Sequence, residues 1–335
     1  MFAEMTKFFL LVLISNLLLI FNIKKISKLI NIFDKPDNIL KKHKYNVPLL
    51  GGFFIACNLV LYFLLEIIFN LQFINIDASI REYISIFFFL FSFFILGIID
   101  DKFKLNPEKK FFISIFFSIL VLSLNKDLLI TNLKFSFYEN RLFLNEFSFF
   151  FTIFCIIILL NALNFYDGIN GQSVIFFILI FIHLAILSQI YIFYVFIILV
   201  LIFILILNLQ NKIFMGDNGI YILGSMLIVA LIYEYNEFKS IQFADEIFLL
   251  LILPGYDLVR LSLSRIFKGK NPFYGDRNHI HHLINSKLSI SYTNIILLLL
   301  ASLPITFFSY FEINFFIVLL IFSILYTAII IFFKK

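Results

Sequence analysis

Apolar runs long enough to cross a bilayer alternate with short polar stretches along almost the whole chain. Crossing about 30 Å of hydrocarbon takes roughly 20 residues at about 1.5 Å per residue. On that measure the pattern predicts helices near 6–23, 47–69, 84–99, 111–124, 147–163, 172–188, 190–207, 219–233, 245–266, 291–311 and 313–333. The stretch 172–207 is divided because a single helix of that length would overshoot the membrane. The expected fold class is all-α, a polytopic membrane bundle of about eleven transmembrane helices forming one domain over residues 1–335. Between two of these runs, 125–145 alternates polar and apolar residues (Asn132-Leu133-Lys134-Phe135-Ser136-Phe137), which predicts a small β-hairpin.

Composition agrees with the pattern. The chain is 62% hydrophobic and 14% charged, whereas soluble domains are near half apolar and about a quarter charged. It has fifty Phe and no Trp, so its fifteen Tyr must supply the interfacial aromatic belt. The two cysteines, Cys57 and Cys155, lie inside apolar runs and form neither a disulfide framework nor a metal-ligand spacing. The first apolar run, preceded by Lys7, lacks a small-residue cleavage site and reads as an uncleaved first helix.

Eleven spans place the loops alternately on two sides. One side holds 24–46, 100–110, 164–171, 208–218, 267–290 and the C-terminal tail. With the helix-end residues Arg260 and Arg265 it carries 20 of the 26 Lys and Arg. The positive-inside rule then puts these loops in the cytoplasm, with the N-terminus outside and the C-terminus inside.

The same loops carry the chemistry. Asp100-Asp101 follows an apolar run directly, and adjacent carboxylates at a membrane face repel each other unless a cation is near. A solvated helix end is the equally simple alternative. Asn161, Asn164 and Asp167 recur at three-residue spacing, on one face of a helix, before Gly168 and Gly171. Asp217 lies between Gly216 and Gly219 at a helix start, as an N-cap or beside a phosphate site. His279, His281 and His282 stand beside Asp276 and Arg277, where neighbouring cations favour an anion over a metal and Arg277 offers a bidentate fork. Loop 24–46 is basic and suits anionic lipid. Asp257 and Arg260, at i,i+3 within 245–266, either pair internally or line a cavity.

Six segments in order, DKP…KKH…VPLLGG (34–52), GIIDD (97–101), NALNFYDGING (161–171), FMGDNG (214–219), PGYDLVRLSLSR (254–265) and NPFYGDRNHIHHLI (271–284), resemble the polyprenyl-phosphate N-acetylhexosamine-1-phosphate transferase family. DRNHIHHLI is similar to the undecaprenyl-phosphate N-acetylglucosamine-1-phosphate transferases. The phospho-N-acetylmuramoyl-pentapeptide transferase branch usually carries a histidine run followed by Phe-Glu, which is absent. The chain departs from the family pattern at Asn170, Ile220 and Leu40.

The resemblance implies transfer of a sugar-1-phosphate from a UDP-sugar to a polyprenyl phosphate, releasing UMP, at the inner (plasma) membrane as a first step of envelope polysaccharide synthesis. It implies Mg²⁺, with Mn²⁺ as the alternative, held by Asp217 with Asp101. Asp100, Asp101 and Asp167 are the catalytic candidates. Asn161, Asn164, Lys109, His43, Asp276, Arg277, His279, His281 and His282 are the substrate-binding candidates. Partners are the UDP-sugar, the lipid acceptor and the membrane, with a homodimer left open and no nucleic acid. A secondary transporter is the rival from another class. It would place its charges near the bilayer midplane, whereas here they gather at helix ends.

Overall fold

The computed structural model describes residues 2–36, 45–69, 80–271 and 277–334. Fourteen α-helices are present among them: α1 Phe2–Phe21, α2 Ile23–Ile30, α3 Gly51–Phe69, α4 Ile80–Phe103, α5 Pro107–Leu124, α6 Ser148–Tyr166, α7 Gln172–Leu187, α8 Tyr191–Leu209, α9 Gly216–Asn236, α10 Ala244–Leu250, α11 Ile252–Phe267, α12 Ile280–Asn285, α13 Ile290–Ser309 and α14 Phe315–Lys334. Among the described residues, each of the eleven predicted runs contains a helix. Of these helices seven are long and apolar enough to cross a membrane, eight if α10 and α11 count as one. Many apolar side chains on these helices face outward, Leu18, Phe154, Ile202 and Leu320 among them. Outward apolar faces on this scale suit lipid rather than water, and the chain is a multi-pass membrane protein.

Three boundaries differ from expectation. The run 47–69 becomes helical only at Gly51, since Val47–Pro48 pairs as a strand with Phe33–Asp34. The run 245–266 is not one helix: α10 and α11 meet at Leu251 with a bend of 76°. Pro254 has no N–H for the carbonyl four residues back, so the α10 ladder cannot continue through it, whereas the first turn of a new helix tolerates it. The run 84–99 continues to Phe103, which puts Asp100 and Asp101 on the last turn of α4 rather than in a loop.

The described residues group into two compact units, Met1–Asn125 with Phe181–Met226, and Lys126–Ile180 with Leu227–Lys335. In the first, α3 packs on α1, α4 and α8, and α4 on α5. Asn16 and Asn58 exchange side-chain hydrogen bonds of 2.9 and 3.1 Å between α1 and α3, and amide pairs of this kind hold helices together where lipid gives no hydrophobic driving force. β1 (Phe33–Asp34) pairs antiparallel with β2 (Val47–Pro48), and Leu49 bridges to Phe214. In the second unit, α6 packs on α11, and α13 on α10, α11, α12 and α14. The expected hairpin is there as β3 (Asn132–Phe135) against β4 (Tyr138–Phe143). Its turn is fastened where the buried Asp245 accepts hydrogen bonds from the Ser136 N–H and hydroxyl.

Candidate active site

In the first unit an acidic centre forms where the end of α4 meets the start of α9. The first backbone N–H groups of a helix have no partner within it. Those of Asp217 and Asn218 are taken by Asp101, whose Oδ1 accepts from Asp217 N at 2.9 Å and Oδ2 from Asn218 N at 3.0 Å. Asp101 is therefore the N-terminal cap of α9, supplied from another helix. Asn218 is wholly buried and completes the joint: its Oδ1 accepts from Gly52 N at 2.8 Å, and its Nδ2 reaches Leu49 O and Asp101. The glycines make room. A Cβ on Gly52 would stand 2.2 Å from Asn218 Oδ1, and one on Gly97 would stand 2.4 Å from Asn218 Cα. Gly216, with φ +68°, turns the chain into α9 in the left-handed region that glycine occupies without strain.

With Asp101 engaged, Asp100 and Asp217 are the carboxylates that share a cation. Lys110 Nζ, from the first turn of α5, contacts Asp100 and lies 3.4 Å from Asp217 Oδ2. Asp100 is buried, and its Oδ1 also accepts from Leu105 N at 2.9 Å, which holds the α4–α5 turn. Burial would lower the Lys110 pKa, but the charges of Asp217 and Asp100 outweigh it and hold the amine above its ordinary range. Lys109 is exposed. Successive helix positions point about 100° apart, so of the two adjacent lysines Lys110 turns toward the acids. We expect Lys110→Gln to lower turnover about tenfold and Lys109→Gln to change it less than twofold, as measured by product release at saturating substrate, the loss of a charge-assisted bond being of that order.

A hard divalent cation needs only one or two carboxylates besides phosphate oxygens and water. Two aspartates already sharing one positive group form a donor set of that kind. Among the described residues, no three His, Cys, Asp or Glu side chains form a cage that would hold a metal unaided.

The second unit contains a histidine centre. His279 and His281 are buried, their rings stacked 5.3 Å apart at 15°, and His282 meets His281 edge-on at 4.2 Å. Phe165 stacks on His279 at 5.7 Å, and the Arg265 guanidinium lies 5.6 Å over the Phe165 ring. His281 packs so closely on the 167–171 turn that a Cβ on Gly168 would fall 1.9 Å from its Nε2, and Gln172 Nε2 lies 3.2 Å from its Nδ1. Burial, reinforced by His282 and His279, pushes the His281 pKa well below the ordinary histidine value, so it is a neutral imidazole. Asp167 follows the last residue of α6 and accepts from Ser173 Oγ at 2.5 Å. Asn161 bonds back to Ile157 O at 2.8 Å within its own helix, and Asn164 lies in the last turn of α6. Arg277 is exposed. His43 and Asp276 lie outside the described residues.

Residues 83–234 match the family model described as glycosyl transferase family 4. This stretch is the part of the chain that is similar to that family. It contains the whole acidic side of the α4–α9 joint and the 161–173 turn. Across a longer span the chain is similar to the undecaprenyl-phosphate alpha-N-acetylglucosaminyl 1-phosphate transferase of Escherichia coli (strain K12), 27% identical over 280 residues, covering 80% of this chain and 72% of the relative. The enzymes of the same name from Salmonella typhi and Haemophilus influenzae are each 26% identical, over 279 and 270 residues, covering 79% and 76% of this chain and 72% of each relative.

Three residues that the sequence analysis did not single out belong to these centres: Lys110, Asn218 and Gln172. Only Asn218 had a local signal, as the polar residue inside FMGDNG at a helix start.

Proposed function

We propose that the chain transfers N-acetylglucosamine-1-phosphate from its UDP donor to undecaprenyl phosphate, releasing UMP, on the cytoplasmic side of the inner membrane. The observation that carries this reading is the acidic centre: two carboxylates sharing one cation beside a helix start, within the region that matches a sugar transferase family. The names of the relatives supply the lipid acceptor and the sugar. The eleven-span reading supplies the orientation, since it puts 20 of the 26 Lys and Arg on the same side as the acidic motifs.

A phosphate monoester, with second pKa about 6, is already largely dianionic at neutral pH, so the acceptor needs little base catalysis. The work of the protein is positioning and charge stabilisation. Asp100, held by Leu105 N and Lys110, would orient the acceptor phosphate. Lys110 offsets negative charge as the two phosphates approach. In place of the expected pair of Asp217 with Asp101, whose oxygens are both taken by the α9 amides, Asp217 and Asp100 are the residues that would hold Mg²⁺, which when bound would neutralise charge on the donor diphosphate. Asp101 keeps the start of α9 in place.

Membranes containing the protein, given UDP-N-acetylglucosamine, undecaprenyl phosphate and Mg²⁺, should release UMP and form a lipid-linked sugar diphosphate. Chelation with EDTA should reduce UMP to background. The absence of UMP with this donor, or turnover indifferent to EDTA, would contradict the reading.

A further inference from the structure

The pair Asp257 and Arg260, left open between a structural and a cavity role, resolves into a buried relay that ends on a histidine. Asp257 is buried on α11, and each of its oxygens is occupied. Oδ1 accepts from Arg260 Nη2 at 2.6 Å and from the Tyr326 hydroxyl at 2.5 Å, with Ile280 N at 3.4 Å. Oδ2 faces His279 Nδ1 at 2.8 Å. Arg260 is steadied in turn by Asn278 O at 2.7 Å and, through Nε, by the Tyr326 oxygen at 2.8 Å. The Tyr326 ring is itself fixed against Tyr256 and Phe322. On the far side of the imidazole, Arg265 Nη2 lies 3.5 Å from His279 Nε2.

The donor and acceptor inventory leaves one arrangement that satisfies both neighbours. An ionised carboxylate accepts only, so Nδ1 must carry a proton. A guanidinium donates only, so Nε2 must be bare. We propose that Asp257, braced by Arg260 and Tyr326, is a positioning residue that locks His279 as the neutral Nδ1–H tautomer, and that His279 thereby holds Arg265 in place. Such an imidazole is neither an acid nor an N–H donor to phosphate. It orients a guanidinium, and α14 takes part through Tyr326. The consequence for turnover rests on the transferase reading, but the protonation pattern does not.

The test is ¹⁵N NMR of the full-length protein in lipid nanodiscs with ¹⁵N-labelled histidine, His279 being assigned by loss of its signals in His279→Gln. At neutral pH the expected spectrum shows a protonated Nδ1 and a bare Nε2. In Asp257→Asn the amide oxygen can still accept from Nδ1–H and Arg265 still faces Nε2, so the tautomer should be kept, but the bond to a neutral acceptor is weaker: the Nδ1–H proton resonance should move upfield, and turnover should fall about 10- to 100-fold, the usual cost of losing a residue that orients a functional histidine. Tyr326→Phe, which keeps the ring packing, should keep the tautomer and lose about tenfold. An imidazolium or an Nε2–H tautomer in the wild-type protein overturns the proposal even if the variant does not insert, and so does an unchanged Nδ1–H resonance in Asp257→Asn. If UMP release fails in the wild type while the spectrum is as expected, the transferase reading falls and the relay stands.

Discussion

Asp217→Asn should reduce UMP release about 10²- to 10³-fold while the protein inserts and folds as before. That is the scale on which removing one preorganised electrostatic group slows a charge-developing reaction. The expectation rests on an asymmetry among the three aspartates. Asp101 is committed to the α9 amides, and Asp100 is buried with a backbone partner at Leu105. Asp217 has 30% of its side chain exposed, against 2% for Asp100, and it faces Lys110. Asparagine keeps the size and the helix position but loses the charge that would bind a cation. Raising Mg²⁺ should recover part of the loss if the second carboxylate still binds it. Full turnover in Asp217→Asn would remove the basis for assigning Asp217 to the metal.

Gly97→Ala should destabilise the protein by about 1–3 kcal/mol, the range for an inserted methyl in a packed interior, and should abolish most activity with it. The sign is informative. In an exposed helix the same change stabilises by roughly 1 kcal/mol, because glycine is a poor helix former. At Gly97 the new methyl would meet Asn218 Cα at 2.4 Å and the backbone of Asp217 at 2.6 Å, atoms that cannot move without shifting the α9 start. Gly255, also helical, has nothing within 4 Å of the corresponding position. Gly255→Ala should therefore be neutral or stabilising by up to about 1 kcal/mol. Thermal unfolding in detergent measures both, and equal effects at the two positions would refute the packing argument.

Hydropathy made the helices legible because each apolar run must bury or lipidate a continuous surface, and each of the eleven runs contains a helix. It did not show that the run 245–266 breaks at Leu251, since a broken helix is as apolar as an unbroken one. The carboxylates of the acidic centre were readable as motifs, but their division of labour was not. Whether Asp101 caps a helix or faces a substrate depends on which amides lie across from it, and those belong to a segment far along the chain. Lys110 and Lys109 look alike in sequence and differ only in the face of α5 they occupy. Asp257 was noticed as a charge in an apolar run, but its partner His279 lies 22 residues on and Tyr326 lies 69 residues on. No local pattern encodes such pairings.

The borrowed helix cap also bears on how the chain is assembled. Asp101 leaves the ribosome 116 residues before the amide of Asp217 that it will bind. At synthesis rates of about 5–20 residues per second, that interval is on the order of ten seconds. Throughout it a pair of charged acids terminates α4 with its future docking partner not yet made. A nascent chain stalled before residue 216 would thus keep the Asp101 carboxylate hydrated at that end of the helix, because the α9 amides that it caps have not yet been made.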